Sequence, residues 1–470
     1  MIKLNSNLTS GLVFLGCVLL ASSAFAERRS SLAGNVLIDD VDDVFFFPQV
    51  ALDHRNQVRF DLALSSALLD TTNANDNSEN ADLSFGENTM SGSGLLLFGE
   101  KGFAFGISTH RQDSYGTAPQ GILGIGDLQL YNKTSLGVWN INGPSSPTPG
   151  GSTDAPAPGT AQGAGGAFLS PLQMADLLVA FGLGDQNSLG LRLSIGQASA
   201  SFRALGAGDT DSTESWNATA INLTAGFTHK SDFELDLGLE LGLAFFSNTF
   251  ITKENSPNYN DSASLAPSLS LYGRVAIPLR ESVKLGAVAI LHINSSSFTD
   301  EFGTDPNSND PTDADSSSQT AFNFFFEGGA GPVYELPDKT TVAAYATLGF
   351  GTSSYSLNSG DEDISTTTLL LPGFKLALEH SIVDWFTFRT GLSSRYRFNF
   401  QSHNFDDNAR DNLQTSATNY EFLWSAGMGL NFGNFSLDGT FQTPFLTDGP
   451  NFLGGKETGV FGLVSVGYKF

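Results

Sequence analysis

An all-β fold is what this sequence predicts: a single transmembrane, antiparallel, up-and-down β-barrel of about 14–16 strands. Three observations predict it. Apolar and polar residues alternate with period two along most of the chain, as in a strand whose side chains point to opposite faces. Short turn-like connections alternate with long polar ones, which suits short periplasmic turns and long extracellular loops rather than a soluble sandwich. Many of the alternating runs match or exceed the ~9–11 residues that a tilted strand needs to cross a bilayer.

Composition agrees. Of 470 residues, 40 % are hydrophobic and only 15 % charged, with 39 Phe and 51 Gly. A long disordered chain would be poorer in aromatics and richer in charge. After residue 26 no stretch of ~18 uninterrupted apolar residues occurs, which argues against a helix-bundle membrane protein. The net charge of −26 repels phosphate backbones, so nucleic acid is not an expected partner. Cys17 is the only cysteine, leaving no disulfide framework and no cysteine metal cluster.

From the N-terminus, residues 1–26 read as a secretory signal peptide. Lys3 precedes the apolar run 11–20, and Ala24-Phe25-Ala26 is a cleavage site. The rival reading, lipidation at Cys17, requires an aliphatic residue where Phe14 stands, and the apolar run continues past the cysteine. Residues 27–56 form an N-terminal periplasmic or plug segment, in which Asp39, Asp40, Asp42 and Asp43 precede Phe45, Phe46 and Phe47. Residues 57–470 form the barrel. Its strands are expected near 57–66, 93–100, 102–109, 175–184, 188–197, 217–229, 232–246, 264–278, 282–295, 320–336, 340–357, 364–380, 383–400, 416–432, 435–443 and 459–470. The segment 232–246 is the clearest: Phe233, Leu235, Leu237, Leu239, Leu241, Leu243 and Phe245 share one face. Tight turns are expected at 100–101, 184–187, 230–231, 280–281, 337–339 and 433–434. Long polar connections are expected at 67–92, 110–174, 198–216, 247–263, 296–319, 401–415 and 444–458. The proline-bearing 110–174 stretch either waves outside as a flexible loop or folds into the lumen.

Charged residues are almost absent from the apolar faces, so those faces are expected to meet lipid and the polar faces to line a lumen. Tyr334, Tyr420, Phe432 and Phe435 at strand ends suit interfacial girdles. The candidate pore-lining residues follow. Asp232, Glu234, Asp236 and Glu240 lie on one wall, Arg192 lies on the fifth strand, and Lys375, Arg389, Arg395 and Arg397 lie nearly opposite on the twelfth and thirteenth. Opposed rows of charge create a transverse field that orients polar solutes. Such rows line a water-filled pore, or they pair with each other or with a plug and close it.

Catalytic patterns are scarce: there is no G-x-S-x-G elbow, no H-E-x-x-H and no phosphate-binding loop. The six histidines are spread singly, and His229 and His380 sit beside expected turns, so a surface role is expected rather than a catalytic or metal one. No enzyme activity and no cofactor are implied. Acidic clusters such as Asp300, Glu301, Asp305, Asp310, Asp313 and Asp315 could bridge divalent cations to lipopolysaccharide, although no complete calcium-loop spacing is present and solvated charge is the plainer reading.

The final run 460–470 ends in Phe470 with Tyr468 two residues before it and apolar residues at the same parity. In this the sequence resembles bacterial outer-membrane β-barrel proteins, whose C-terminal strand is read by barrel-assembly machinery. The resemblance implies insertion in the outer membrane of a diderm bacterium, among outer-membrane lipids and lipopolysaccharide. A weaker resemblance is to the long-chain fatty-acid transporter family, which carries an N-terminal segment with an Asn-Pro-Ala turn ahead of the barrel. Here residues 39–48, ending in Pro48, occupy the comparable place without that turn. The expected function is a porin-like channel or facilitator for passive diffusion of small polar solutes through a charge-lined lumen. The alternatives are a transporter of hydrophobic compounds with an N-terminal hatch, and a structural or adhesive surface barrel.

Overall fold

The computed structural model describes residues 27–64, 90–111, 173–204, 212–252, 259–302, 316–357, 362–405, 413–441 and 461–470. The expected signal peptide with Cys17, nearly all of the 110–174 stretch and most of the acidic connections lie outside the described residues.

Sixteen strands form one closed antiparallel barrel in which each strand pairs with its sequence neighbours. They are β1 Gln57–Leu64, β2 Met90–Glu100, β3 Phe103–Arg111, β4 Gln173–Leu183, β5 Asn187–Ala204, β6 Ser212–Lys230, β7 Glu234–Thr252 and β8 Tyr259–Arg280. There follow β9 Val283–Phe302, β10 Ser316–Leu336, β11 Thr340–Leu357, β12 Glu362–Val383, β13 Phe386–Phe405, β14 Leu413–Phe432, β15 Phe435–Phe441 and β16 Phe461–Lys469. The seam closes on β1, where Gln57 opposes Leu97 of β2 on one side and Lys469 of β16 on the other. Closure removes the unpaired strand edge that an open sheet would expose to lipid.

Each expected strand has its counterpart, but several run further than alternation indicated. β5 continues to Ala204, β7 to Thr252 and β9 to Phe302, inside stretches expected as loops. The reason is physical. Beyond the hydrocarbon layer the outer face has no lipid to match, so the period-two signal fades while the backbone ladder continues. At the other end the turns are tight. Gly433 takes a φ of +64°, a left-handed conformation that a side chain disfavours, and lets β14 reverse into β15 within two residues.

The barrel is inside-out by the standard of a soluble protein. Leu191 and Leu241 on the outer face are each 50 % exposed, while Asp236 and Glu240 on the inner face are 1 % exposed. Lipid is the medium that makes this arrangement stable, since an apolar exterior of this extent in water would lose the driving force for folding. Aromatic residues ring the turn side, with Trp385 on Phe432 at 6.1 Å, Phe98 on Phe470 at 5.9 Å and Phe103 on Phe181 at 5.5 Å. Tyr396 and Tyr420 meet at 5.0 Å further along β13 and β14. Eleven residues separate Trp385 from Tyr396. At a rise of ~3.4 Å per residue and a tilt of ~40° these positions stand roughly 28 Å apart along the membrane normal, close to the ~25 Å apolar band of such barrels.

Candidate functional site

The lumen is occupied. Residues 27–55 run across the turn-side half of the barrel interior, touching the inner wall at successive strands. The segment holds a short helix, α1 Glu27–Ser31, and two 3-10 turns, η1 Val41–Phe45 and η2 Pro48–Leu52. Local chemistry fixes these turns. Asp40 caps η1 by accepting from the Asp42 N–H at 3.1 Å, and Asp43 reciprocates by accepting from the Asp40 N–H at 3.1 Å. Pro48 opens η2 because its ring pre-sets φ and no N–H is needed there.

Two kinds of contact seat the segment. The first is apolar. Val36, Val44, Phe45, Phe46, Phe47 and Val50 pack with Leu95, Leu97, Leu178, Tyr272, Ile290, Phe325 and Leu370 of the wall into one buried cluster. Phe46 meets the Tyr272 ring edge-on at 4.9 Å. At the far side Leu32 and Ile38 join Val333, Ala343 and Ala377. Close approach is made possible where the wall lacks a side chain: a methyl group at Gly190 would collide with the backbone of Pro48 and Gln49. Gln49 then donates to Thr228 Oγ1 at 2.9 Å.

The second kind is ionic. Arg274 of β8 holds wall and segment together. It donates to Asp236 at 2.8 and 2.9 Å, to Asp43 at 2.8 Å and to the Val36 carbonyl at 3.3 Å, and it lies 3.1 Å from Asp39. Arg29 pairs with Asp43 in the same knot. Arg59 of β1 reaches Asp61 at 2.6 Å, Asp42 at 3.2 Å and Asp40 at 3.6 Å. Arg28 forms a bidentate pair with Glu379 at 2.8 and 2.9 Å, and Arg389 shares that carboxylate at 2.6 Å while also holding Asp438.

These surroundings tune the segment's own carboxyls differently. Burial pushes Asp42 up to about 8, with repulsion from Asp40 and Asp61 opposing the attraction of Arg59. Burial also works against ionised Asp43 and Asp40. For Asp43 it is outweighed by Arg274 and Arg29, and for Asp40 by Arg29, Arg28 and Arg59, so both lie below the ordinary value.

The expected pore-lining residues divide on this geometry. Arg192, Asp236, Glu240, Lys375, Arg389, Arg395 and Arg397 are buried on the inner face. Asp232 is a correction: it lies exposed in the turn before β7, closed by the Ser231 N–H donating to the Phe233 carbonyl at 2.9 Å. Alternation continues through that turn, so parity alone could not mark where the strand begins. Glu234 sits at the exposed rim, 2.9 Å from Lys230. The inward charges also have close neighbours of opposite sign. Arg192 pairs with Glu240 beside Asp176, and Glu421 accepts from Arg395 and lies 2.9 Å from Arg397. The transverse field expected from opposed rows is therefore largely neutralised in place.

Sequence reading missed Arg28, Arg29, Arg59, Arg274, Glu379 and Asp438. A usable signal existed for two of them: Arg28 and Arg29 stand ten residues from an acidic run in one short segment, a both-signs pattern suited to docking. His292, which lies beside no expected turn, is buried on the inner face. Its Nδ1 shares a hydrogen bond with Ser270 Oγ at 2.8 Å, its Nε2 lies 3.3 Å from Asn294 Nδ2, and Asn323 Nδ2 donates to Asn294 Oδ1 at 2.8 Å.

No protein-family model matches this sequence, and no curated protein matches it. Among solved structures, a Pseudomonas aeruginosa FadL homologue is similar at 10 % identity and a TM-score of 0.36, over 96 % of this chain and 100 % of that one. The ferric yersiniabactin uptake receptor FyuA from Yersinia pestis is similar at 9 % identity and a TM-score of 0.34, over 82 % of this chain and 68 % of that one. The siderophore receptor PiuA from Acinetobacter baumannii is similar at 8 % identity and a TM-score of 0.33, over 57 % of this chain, which spans 47 % of the receptor's length. Likenesses this distant add nothing to the strand ladder, which stands alone: a closed, sixteen-stranded barrel, apolar outside and charged within, is a transmembrane β-barrel of the outer-membrane type.

Proposed function

We propose that this protein is an outer-membrane facilitator through which small solutes diffuse passively, with residues 27–55 acting as a hatch that must be displaced. The observation that carries this reading is how the segment is held. It fills the turn-side lumen through side-chain packing and ion pairs, and α1, η1 and η2 contribute no strand to the barrel ladder. It can therefore leave, once its buried packing and ion pairs are broken, while the barrel's own ladder of hydrogen bonds stays intact.

A specific observation favours solutes with some apolar character over purely polar ones. Tyr272, Ile290, Phe325 and Leu370 face inward and are covered by the segment's phenylalanines. Displacing the hatch uncovers them beside the charged wall, giving a track with both kinds of surface. Transport of hydrophobic compounds is the second reading, and the same cluster supports it.

Planar-bilayer conductance tests the proposal. The Gly190→Leu variant cannot seat Pro48 and Gln49, so its conductance is expected to exceed wild type by tenfold or more. Cysteines replacing Gln49 and Thr228, bridged by a short bis-thiosulfonate linker, are expected to hold conductance at the closed level until reduced. Equal conductance in wild type and Gly190→Leu sinks the hatch. Silence from a correctly folded Gly190→Leu barrel sinks transport altogether.

A further inference from the structure

Three neighbouring strands, β6, β7 and β8, carry two rungs of polar positions on the inner face. Asn222, Gly242 and Ser268 stand opposite one another in the first rung, and Thr224, Glu240 and Ser270 in the second. Gly242 is the one position of the six without a side chain. A methyl group there would collide with Ser268 Oγ and would lie 2.7 Å from Asn222 Oδ1. The neighbouring glycines differ: Gly190, Gly226 and Gly238 have Pro48, Gln49 and Phe46 of the N-terminal segment against them, whereas the atoms nearest to Gly242 belong to the wall itself. Asn222 and Glu240 are both buried, and Asn222 Oδ1 and Glu240 Oε1 have no hydrogen-bond partner among the described residues. A buried acceptor that has given up water without gaining a donor is costly, so a wall that carries two of them on adjacent rungs calls for an explanation.

The chemistry of the two orphaned atoms narrows what satisfies them. Both are acceptors, so each takes an O–H or N–H donor. Charge is not what they call for. The other oxygen of Glu240 already pairs with Arg192 and accepts from Thr224 Oγ1 at 3.0 Å, so the carboxylate is compensated where it stands. A cation would be repelled by Arg192, and an anion would meet an acceptor-lined wall. Uncharged hydroxyls fit, and the Ser268 and Ser270 hydroxyls can answer them as donors or acceptors. Two residues along β8 from Ser270, on the same face, stands Tyr272, whose ring is met edge-on by Phe46 while the segment is docked. A polar edge and a flat apolar surface therefore follow one another on this wall. A pyranose ring carries the matching pair, with hydroxyls around its edge and a face of C–H groups.

We propose that Asn222, Glu240 and Ser268, grouped around Gly242, form a binding subsite for an uncharged pyranose sugar, which donates hydroxyls to Asn222 Oδ1 and Glu240 Oε1. This rests on the hatch-controlled reading above and deepens it by naming a substrate class: neutral, polyhydroxylated rings. The C–H face of the ring turns toward Tyr272 once Phe46 has left it.

Saturation-transfer NMR on the purified full-length protein tests it, in a polyoxyethylene detergent that carries no sugar headgroup. The probes are glucose, glucosamine, glucuronate and cyclohexanol. Both wild type and Gly190→Leu are titrated, so that a closed hatch does not mask the subsite. Glucose is expected to bind at least tenfold more tightly than glucosamine or glucuronate, which add a positive or a negative charge to the same ring, and than cyclohexanol, which keeps a single hydroxyl. Asn222→Leu, close in size and without the acceptor, is expected to weaken glucose at least tenfold. Gly242→Leu fills the space between the two rungs and is expected to abolish binding. Retained heat-modifiability on a denaturing gel verifies that each variant is still a folded barrel. The subsite is overturned if glucose gives no signal in either background, in which case water alone serves these acceptors. It is equally overturned if glucosamine or glucuronate binds more tightly than glucose, if cyclohexanol binds as well, or if Asn222→Leu and Gly242→Leu keep the wild-type affinity. Binding and conductance fail separately. Glucose bound to a barrel whose hatch never opens removes the gating reading alone, whereas a gated barrel indifferent to glucose removes only the subsite.

Discussion

Arg274 and Arg395 are both buried arginines on the inner face of the same barrel, and their surroundings could hardly differ more. Arg274 is surrounded by Asp236, Asp43 and Asp39, and it also donates to the Val36 carbonyl. Arg395 has Glu421 on Nε and unmet donors at both outer nitrogens. The difference is the N-terminal segment. Where it lies against the wall it brings carboxylates, and the wall cation becomes part of a seal. At Arg395 the carboxylates come from the wall itself: Glu421 accepts from Nε, and buried Glu327 lies within electrostatic reach. A lumen cation thus joins the segment to the wall where the segment supplies its partner, and pairs within the wall where it does not, as Arg192 does with Glu240.

The strongest way to break that comparison is Arg274→Ala. It strips the counter-charge from Asp236 and loosens Asp43, leaving buried carboxylates uncompensated at a cost of about 3–5 kcal/mol. The segment is expected to become protease-sensitive with the barrel still folded. Arg389→Ala is the control, because Glu379 keeps Arg28 as a partner and Asp438 is partly open to water. Its effect should be closer to the ~1.5–3 kcal/mol of a charged hydrogen bond. Equal protease sensitivity in the two variants would remove the special role given to Arg274.

Titration sharpens the comparison next. Asp42 docks with its value raised from 3.8 to about 8. A carboxyl raised on docking favours the docked state fully below its free value and loses that advantage as pH rises toward the docked value. Asp40 and Asp43 have the opposite sign. Lowered on docking, they favour it above the ordinary 3.8 and lose that as pH falls further. Burial lowers His54 of the same segment below 6.5, which favours docking as pH rises toward that value, so release of the segment, read as conductance or proteolysis, is expected to increase from pH 6.5 to pH 8, where Asp42 acts without that opposition. Asp42→Asn should flatten that dependence, and an unchanged slope in Asp42→Asn would assign it elsewhere. The smallest effect belongs to Lys230→Ala at the exposed rim. Its pairs with Asp53 at 3.1 Å and Glu234 at 2.9 Å are solvent-screened and contribute less than about 1 kcal/mol. Hatch behaviour should match wild type within error.

Legibility in the sequence followed the range of the interaction. β7 and β13 could be read with their faces assigned, because side chains two apart in a strand share an environment whatever lies elsewhere. Phe432 and Phe435 could be placed at a membrane boundary for the same local reason. The start of β7 could not, since Phe233 keeps the parity of the strand while already in the turn. Among the charged residues, alternation assigned Glu240 and Arg395 to the inner face and was silent on what each would meet there.

What the sequence determined by itself is the ladder: about 14–16 strands and, in the clearly alternating ones, which side faces lipid and which faces the lumen. These depend on a two-residue period and on turn chemistry, both written within a few positions. What only the tertiary structure decided is how the lumen is filled and which charges find each other. Arg28 meets Glu379 across 351 positions of chain. That meeting exists only because closing the barrel brings β12 within reach of a segment that enters beside β1, and no local pattern encodes such a distance.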